Sequence, residues 1–252
     1  MSMMEKYKKV INLKKSKISF LTSVFPNNSQ YLYNFFDSLK NQTCKDFDVI
    51  VINDGYKKFN DIKKKYDQSL NIIEIQYSNT PAKNKEKGVN FCIESKYENL
   101  IFGDSDDYFA ENRVEKSIEL LKSNDIVVND LNLFDNKGVY EKKYISNRLN
   151  NFDVINVEFI KDKNIFGMSN TAIKLKNISK VEFDLKTVAV DWYFFRDLLT
   201  RGLKAIFTNE TVSYYRQHEN NSVGLNKEGD KYYLWWEKKK NYNYYYQVKN
   251  FT

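Results

Sequence analysis

The chain has 252 residues, enough for one compact domain with a small appendage. Hydrophobic residues make up 42% and charged residues 29% of it, which excludes wholesale disorder. The low counts of 8 glycines and 2 prolines exclude collagen-like and linker-rich proteins. The 40 Lys and Arg residues exceed the 33 Asp and Glu residues, and the net charge of +7 favours anionic partners without naming one.

Three features of the sequence bear on where the protein resides. Cys44 and Cys92 stand in unrelated local patterns, which is typical of reduced thiols in an intracellular protein. No apolar run approaches the roughly 20 residues of a membrane-spanning helix. Residues 1–17 are rich in lysine but lack the apolar stretch of a signal peptide. Together these features predict a cytoplasmic protein.

The first half of the chain alternates strand-like and helix-like segments. Four apolar, β-branched segments predict strands, and three segments between them with helical spacing of apolar residues predict helices. In chain order these are strand 17–24, helix 30–40, strand 46–53, helix 57–68, strand 71–77, helix 81–94 and strand 99–103. This order predicts an α/β fold with a mostly parallel sheet and helices on both faces. Ligands of such sheets bind beyond the carboxyl ends of the strands.

The alternation changes after residue 107. The patterns predict helices and strands in a less regular order: helices over 111–122, 154–163 and 191–201, and strands over 125–134, 204–207 and 212–216. The last segment, 230–252, is rich in Tyr, Trp and Lys. Two hypotheses fit that composition. The segment is an interfacial helix on an anionic membrane, or it packs against the domain or a second subunit.

A cluster of carboxylates follows the fourth predicted strand. Asp104, Asp106 and Asp107 fall within four residues, and their mutual repulsion costs stability unless a cation or solvent relieves it. Hard oxygen ligands of this kind suit Mg²⁺ or Mn²⁺, and such metals usually hold substrate phosphates as well. The alternative is a solvated acidic turn that caps the following helix. After a buried parallel strand, the sequence favours the metal site.

Three further polar residues stand at positions where chemistry is expected. Asp54 directly follows the second predicted strand, and Gly55 after it permits a sharp turn. Asp191 falls in the first turn of a predicted helix, where the helix dipole stabilises its ionised form. His218 is the single histidine in the chain. Taken singly, each of the three favours an ordinary structural role over a functional one.

Taken together, four blocks of the sequence resemble the inverting glycosyltransferases of family 2, which have the nucleotide-sugar-binding GT-A fold. The blocks are 18–43, which contains the run Ser-Leu-Lys-Asn-Gln-Thr, 47–55, Gly88 with 100–108, and 190–199 with 215–222. They occur in the order expected for the family and span about residues 17–224. Each block is weak alone, whereas the ordered set is specific.

The resemblance implies a nucleotide site at the strand ends. Asp54 matches the residue that reads the base, and Lys85 falls near a basic diphosphate contact that is usually Arg. Ser23 and Phe25 match contacts to the base and ribose, with Thr22 as an alternative to Ser23. The implied nucleotide contacts are therefore Thr22, Ser23, Phe25, Asp54, Lys85, Asp104 and Ser105.

The resemblance also implies a metal site, a base and a sugar pocket. Asp104 and Asp106 match the ligands of a Mn²⁺ or Mg²⁺ ion, with His218 as a further contact in some relatives. Asp191 matches the catalytic base, although Val190 stands where the family usually has Glu. The loop 166–170 resembles the one lining the pocket for the donor sugar and acceptor. The implied pocket residues are Gly167, Met168, Ser169 and Trp192.

The function that follows from the resemblance is the inverting transfer of a sugar from a nucleotide-diphosphate sugar. UDP is the expected nucleotide, and a glycan or lipid-linked saccharide is the expected acceptor, in the synthesis of bacterial surface polysaccharide or lipooligosaccharide. The expected organisation is a GT-A domain over 1–224, with a nucleotide half at 17–107 and an acceptor half at 108–224, followed by an aromatic, basic extension at 225–252. A membrane contact through 230–252 and a homodimer are left open, and no nucleic acid partner is expected.

Two other classes of function compete with this one. The first is another metal-dependent nucleotide-processing enzyme that uses Asp104 and Asp106. Its phosphatase version needs a nucleophilic Asp after the first strand, where this chain has Thr22 and Ser23. The second is a non-catalytic module that binds carbohydrate or nucleic acid by stacking on its many tyrosines. That module leaves Asp191 and the carboxylate cluster unexplained.

Overall fold

A computed structural model describes residues 16–161, 163–183 and 189–217. Within these ranges, ten strands form one sheet and five α-helices pack against it. The strands are β1 (Ile18–Val24), β2 (Asp48–Asn53), β3 (Asn71–Gln76), β4 (Asn99–Phe102), β5 (Tyr108–Phe109), β6 (Ile126–Asp135), β7 (Gly138–Glu141), β8 (Val154–Ile155), β9 (Thr171–Lys174) and β10 (Ala205–Arg216). The helices are α1 (Leu32–Lys40), α2 (Phe59–Tyr66), α3 (Pro81–Glu94), α4 (Arg113–Leu121) and α5 (Val190–Thr200), and a 3₁₀ helix (Pro26–Tyr31) precedes α1.

The first four strands form the parallel part of the sheet, in the spatial order β3-β2-β1-β4. All six residues of β2 are buried, which is why its four central residues are apolar without alternation. The register pairs Val24 with Asn53, and Asn53 with Gln76, so the strands end together at one edge. The predicted mostly parallel α/β sheet is confirmed.

The second half of the chain extends the sheet in the order β9-β6-β10-β5. β9 runs antiparallel between β4 and β6, whereas β6 and β10 are parallel to each other. The two strands predicted at 204–207 and 212–216 form the single strand β10, whose register shifts between Thr208 and Val212. The helix predicted over 154–163 is wrong, because Val154 and Ile155 pair with β10 as strand β8.

Helices cover both faces of the sheet, as the sequence predicts. Phe35 of α1, Ile62 of α2 and Val114 of α4 belong to the core on one face. Val89 of α3 and Phe194 of α5 belong to the core on the other face. The two helices α3 and α5, which contain Lys85 and Asp191, therefore lie on the same side of the sheet.

Helix α3 lies very close to β1. A methyl group at Gly88 would overlap the side chain of Leu21, so a glycine at this position permits the close approach. Among the described residues, no helix is both long and apolar enough to cross a membrane. The proposed extension at 225–252 and its membrane contact through 230–252 fall outside the described residues.

Candidate active site

Asp54 is held rigidly at the end of β2. Its backbone N–H donates to the carbonyl of Val24, 2.8 Å away, and Gly55 makes the following turn with a φ of 81°. The Asp54 carboxylate accepts hydrogen bonds from the Asn84 side chain at 2.8 Å and from the Ser78 hydroxyl. Since Asn84 belongs to α3, the helix fixes this carboxylate at the same edge of the sheet as the ends of β1 and β4.

The end of β1 offers two hydroxyl groups with different accessibility. Thr22 is buried, and its hydroxyl has no hydrogen-bond partner among the described residues. Ser23 and Phe25 are partly exposed, as is expected of residues that contact a ligand. Of the two alternatives that the sequence leaves open, Ser23 is therefore the one that a ligand can reach.

The acidic turn, residues 104–107, begins directly after β4 and Gly103. Asp104 and Asp106 are partly exposed, whereas only 1% of Asp107 is exposed. The Asp107 carboxylate accepts a 2.7 Å hydrogen bond from the backbone N–H of Arg216 and another from the Ser169 hydroxyl. Asp107 is thus enclosed by the protein, whereas the two outer aspartates of the turn are partly exposed.

Ser105, an expected nucleotide contact, has a buried side chain in the structure. Only 2% of the residue is exposed, and its hydroxyl is buried without a hydrogen-bond partner among the described residues. The reason is geometric, because the turn directs its two neighbours outward and Ser105 inward. The backbone of this residue is still part of the turn.

Most of the expected sugar-pocket residues are buried in the structure. Met168, Ser169 and Trp192 are 4%, 2% and 6% exposed, and only Gly167 of the set is partly exposed. The Trp192 indole donates to the carbonyl of Ile160 at 2.9 Å. The Ser169 hydroxyl accepts a 2.9 Å hydrogen bond from the backbone N–H of Asp104 and donates to Asp107. Ser169 therefore supports the acidic turn.

Residues far apart in the sequence converge at this turn. The ammonium group of Lys85 lies 3.9 Å from the Asp104 carboxylate. The charge of Lys85 also lowers the pKa of Asp191, and the charge of Asp191 raises the pKa of Asp104. Two charges perturb each other's pKa appreciably only when the groups are near one another, so Lys85, Asp104 and Asp191 lie near one another.

The carboxylates of Asp104 and Asp191 both have a raised pKa because they are shielded from water. Burial disfavours their charged forms, and the opposing charge of Lys85 only partly offsets this rise in pKa. Asp191 also accepts hydrogen bonds from the backbone N–H of Trp192 at 2.8 Å and from the Asn164 side chain. These bonds orient the carboxylate, and its raised pKa makes it a stronger base than an exposed aspartate.

The end of β10 supplies two residues that the sequence did not identify as part of the site. Burial raises the pKa of the Tyr215 phenol, and the charges of the three aspartates of the turn and of Asp191 raise it further. Arg216 donates from Nε to the carbonyl of Asp106 at 2.6 Å, and its guanidinium lies 4.2 Å from the ring centre of Tyr31. Both residues precede His218, which lies outside the described residues.

The groups present suit a metal that is shared with a substrate. Within the described ranges, no three His, Cys, Asp or Glu side chains are grouped so that they could enclose a metal ion. Asp104 and Asp106 offer carboxylate oxygens at the mouth of the cleft, which fits Mg²⁺ or Mn²⁺. These ions are commonly held by one or two carboxylates, water and substrate phosphates, so the pair fits that mode of binding.

A mostly parallel sheet with acidic groups at its strand ends is the arrangement of an α/β protein that binds its ligand at that edge. The chain belongs to glycosyl transferase family 2, whose family model matches residues 22–177, more than half of its length. An uncharacterised glycosyltransferase of Methanocaldococcus jannaschii is 24% identical over 211 residues, which cover 80% of this chain and 71% of the relative. An uncharacterised glycosyltransferase of Rickettsia bellii is 28% identical over 131 residues, which cover 51% of this chain and 19% of that relative.

Solved structures share the fold. TarS of S. aureus, in complex with UDP-GlcNAc, superposes with a TM-score of 0.65 at 18% identity over 81% of this chain. A mannosyltransferase of Pyrobaculum calidifontis, in complex with GDP-Man and Mn²⁺, superposes with a TM-score of 0.60 at 13% identity over 84% of this chain. The present chain spans about 60% of the length of each of these two structures. At these identities the likeness establishes the GT-A fold alone.

The Ser169 hydroxyl provides a test of how the acidic turn is supported. We expect Ser169→Ala to lower the free energy of unfolding by about 1–3 kcal/mol, because it removes a hydrogen bond from each of two buried groups, the Asp107 carboxylate and the Asp104 N–H. The measurement is urea unfolding at pH 7. Ser38→Ala removes a hydroxyl that bonds only to a carbonyl within α1, and this control should change stability by less than about 0.5 kcal/mol. Equal effects of the two substitutions would contradict the supporting role.

Proposed function

We propose that the protein transfers a sugar from a nucleotide-diphosphate sugar to a hydroxyl group of an acceptor. The observation that carries the proposal is the convergence of Asp104 and Asp191 on one cleft, together with Lys85. This arrangement provides carboxylates for a metal ion, a cation for the phosphates and a separate carboxylate for the acceptor. Family membership supports the same function.

The nucleotide of the donor is proposed to bind across the ends of β1 and β2. Asp54 would accept a hydrogen bond from the base, since its carboxylate is already oriented by Asn84 and Ser78. Ser23 and Phe25 would contact the base and ribose. The ammonium group of Lys85 would lie against the diphosphate, where a positive charge is favourable. We propose UDP as the nucleotide, which the UDP-GlcNAc complex of TarS supports, although the mannosyltransferase holds GDP-Man.

Asp104 and Asp106 are proposed to hold a Mn²⁺ or Mg²⁺ ion. When bound, such an ion stabilises the charge that develops on the departing diphosphate. The complex of the mannosyltransferase with Mn²⁺ supports this assignment. His218 is proposed as a further contact to the metal or to the diphosphate. Arg216 holds the turn at Asp106, because its Nε donates a hydrogen bond to the backbone carbonyl of Asp106.

Asp191 is proposed to act as the general base. Its carboxylate would accept the proton of the acceptor hydroxyl while that oxygen attacks the anomeric carbon and the bond to the diphosphate breaks. A single displacement of this kind inverts the anomeric configuration. The hydrogen bonds from Trp192 and Asn164 hold the carboxylate in one orientation, which is required of a base that acts on a positioned hydroxyl.

The finer proposals rest on family resemblance. We propose a glycan or lipid-linked saccharide as the acceptor, and a place in the synthesis of bacterial surface polysaccharide or lipooligosaccharide. We also propose that residues 1–224 form the transferase domain, followed by a separate extension at 225–252. We propose that the loop 166–170, whose Gly167 is partly exposed, lines the pocket for the donor sugar and acceptor.

The first prediction concerns the base. Asp191→Asn should reduce the rate of sugar transfer on the order of 10²–10⁴-fold and leave donor binding unchanged, because an amide of the same shape cannot accept the proton. Transfer is measured by release of nucleotide diphosphate, and binding by calorimetry. Asp197→Asn on the same helix, where the carboxylate pairs with Arg201, is the matched control and should retain activity. Loss of donor binding in Asp191→Asn would indicate a structural role instead.

The second prediction concerns pH. A base must be ionised, so kcat/KM should fall as the pH drops through the pKa of Asp191, and this midpoint should lie above the ordinary aspartate value of about 3.9. The charge of Lys85 lowers this pKa, so Lys85→Met should move the midpoint to higher pH. The measurement is the pH profile of kcat/KM for both proteins. A midpoint that stays in place or moves to lower pH in Lys85→Met would contradict the shared cleft.

The third prediction concerns the metal and the nucleotide. Asp106→Ala should abolish the part of nucleotide binding that depends on Mn²⁺, because it removes one of the two carboxylates available to the ion. The measurement is calorimetry with UDP, GDP, CDP and dTDP, each with and without Mn²⁺. Asp61→Ala on the exposed face of α2 is the control and should bind as the unmodified protein does. An affinity independent of Mn²⁺ in the unmodified protein would remove the metal assignment, and binding of an oligosaccharide alone would favour a non-catalytic module.

A further inference from the structure

A fully buried arginine lies beneath the acidic turn. Arg113 is the first residue of α4 and is 0% exposed. Arginine is almost never fully buried unless it is paired, because moving a charge out of water is costly. In the sequence, Arg113 is merely a charged residue near the start of a predicted helix. Its contacts therefore need an explanation that the local sequence does not give.

The guanidinium of Arg113 is fixed by contacts on several sides. Nη2 donates to the carbonyl of Phe102 at 2.5 Å, and Nε donates to the side chain of Asn129 at 3.2 Å. Its central carbon lies 4.3 Å from the ring centre of Phe109 and 5.3 Å from that of Phe20. Phe102 is the last residue of β4, so Arg113 holds the strand end from which the acidic turn departs.

A chain of buried hydrogen bonds connects Arg113 to the turn itself. Asn129, which accepts from Arg113, donates to the Ser213 hydroxyl at 3.1 Å. Ser213 in turn donates to the carbonyl of Ser169 at 2.5 Å. The Ser169 side chain then contacts both the Asp104 N–H and the Asp107 carboxylate. Every residue between the arginine and the turn is thus fixed by a hydrogen bond to the next.

The charge of Arg113 complements the charges of the turn. Burial lowers the pKa of Arg113 to about 9, and the charges of Asp107 and Asp104 oppose that decrease. The residue is therefore a cation at neutral pH. Lys85, by contrast, is partly exposed at the cleft, where a ligand can reach it. Arg113 has no access to a ligand, so its charge stays with the turn whether or not a donor is bound.

We propose that Arg113 is a positioning residue, whose fork of hydrogen bonds and buried charge together hold Asp104 and Asp106 in the arrangement that receives the metal–diphosphate group. The proposal rests on the proposed function. Without this cation, three carboxylates within four residues would repel one another at the end of a buried strand. With it, the turn is oriented before the ligand arrives, which reduces the cost of binding.

The test compares nucleotide binding in substituted proteins. Arg113→Met keeps an unbranched side chain but removes the charge and the hydrogen bonds. Arg113→Lys keeps the charge, but its ammonium group cannot reproduce the two hydrogen bonds that the planar guanidinium donates from Nε and Nη2. We expect the Mn²⁺ concentration at half-saturation of UDP binding to rise at least tenfold in Arg113→Met, with an intermediate increase in Arg113→Lys. The measurement is calorimetry on the full chain, well below the unfolding temperature of each variant.

A control separates positioning from general loss of stability. Ile62→Ala removes buried side-chain volume from α2, at a site with no contact to the turn, and should lower the unfolding temperature without changing the Mn²⁺ midpoint. A folded Arg113→Met with an unchanged midpoint would overturn the inference. If Arg113→Met does not fold, Arg113→Lys provides the test instead. An unchanged Mn²⁺ midpoint of UDP binding in Arg113→Lys would also overturn the inference. Unmodified protein that binds no nucleotide diphosphate with Mn²⁺ would instead overturn the proposed function, and the inference with it.

Discussion

The structure depends on keeping four carboxylates close together against their mutual repulsion. Asp104, Asp106 and Asp107 occupy one turn, and Asp191 joins them from α5. Like charges in a shielded cleft raise one another's pKa, and burial adds to the effect. Such an arrangement is stable only where cations and hydrogen-bond donors are built around it. In this fold the buried residues Arg113, Asn129, Ser169 and Ser213 belong to that surrounding set.

The compensating groups come from both halves of the chain. Lys85 on α3 faces Asp104 across the cleft, and Ser169 supports the turn from behind. Arg216 on β10 supplies a backbone N–H to Asp107 and a guanidinium to the carbonyl of Asp106. Because β9 is inserted between β4 and β6, the loop that precedes it reaches the back of the turn. The mixed topology of the sheet thus serves the site directly.

The sequence predicted the parallel half of the fold well, because β1 to β4 are rich in apolar, β-branched residues and the helices between them have apolar residues at helical spacing. It missed β9, which has only four residues, and it assigned a helix to 154–163, where two residues pair as a strand. The acidic turn and Asp191 stand out as carboxylates at element ends. Ser169 and Arg113 do not, since their roles arise from contacts with residues distant in the chain.

The central claim is that the acidic turn and Asp191 face one bound donor. A crystal structure of the full chain with UDP and Mn²⁺, recorded with anomalous scattering from manganese, tests it most directly. The account predicts a manganese peak in direct contact with Asp104 or Asp106 and with the diphosphate, and the Asp191 carboxylate facing the open side of the cleft beside it. A nucleotide bound on another surface, or a manganese peak away from the turn, would contradict the account.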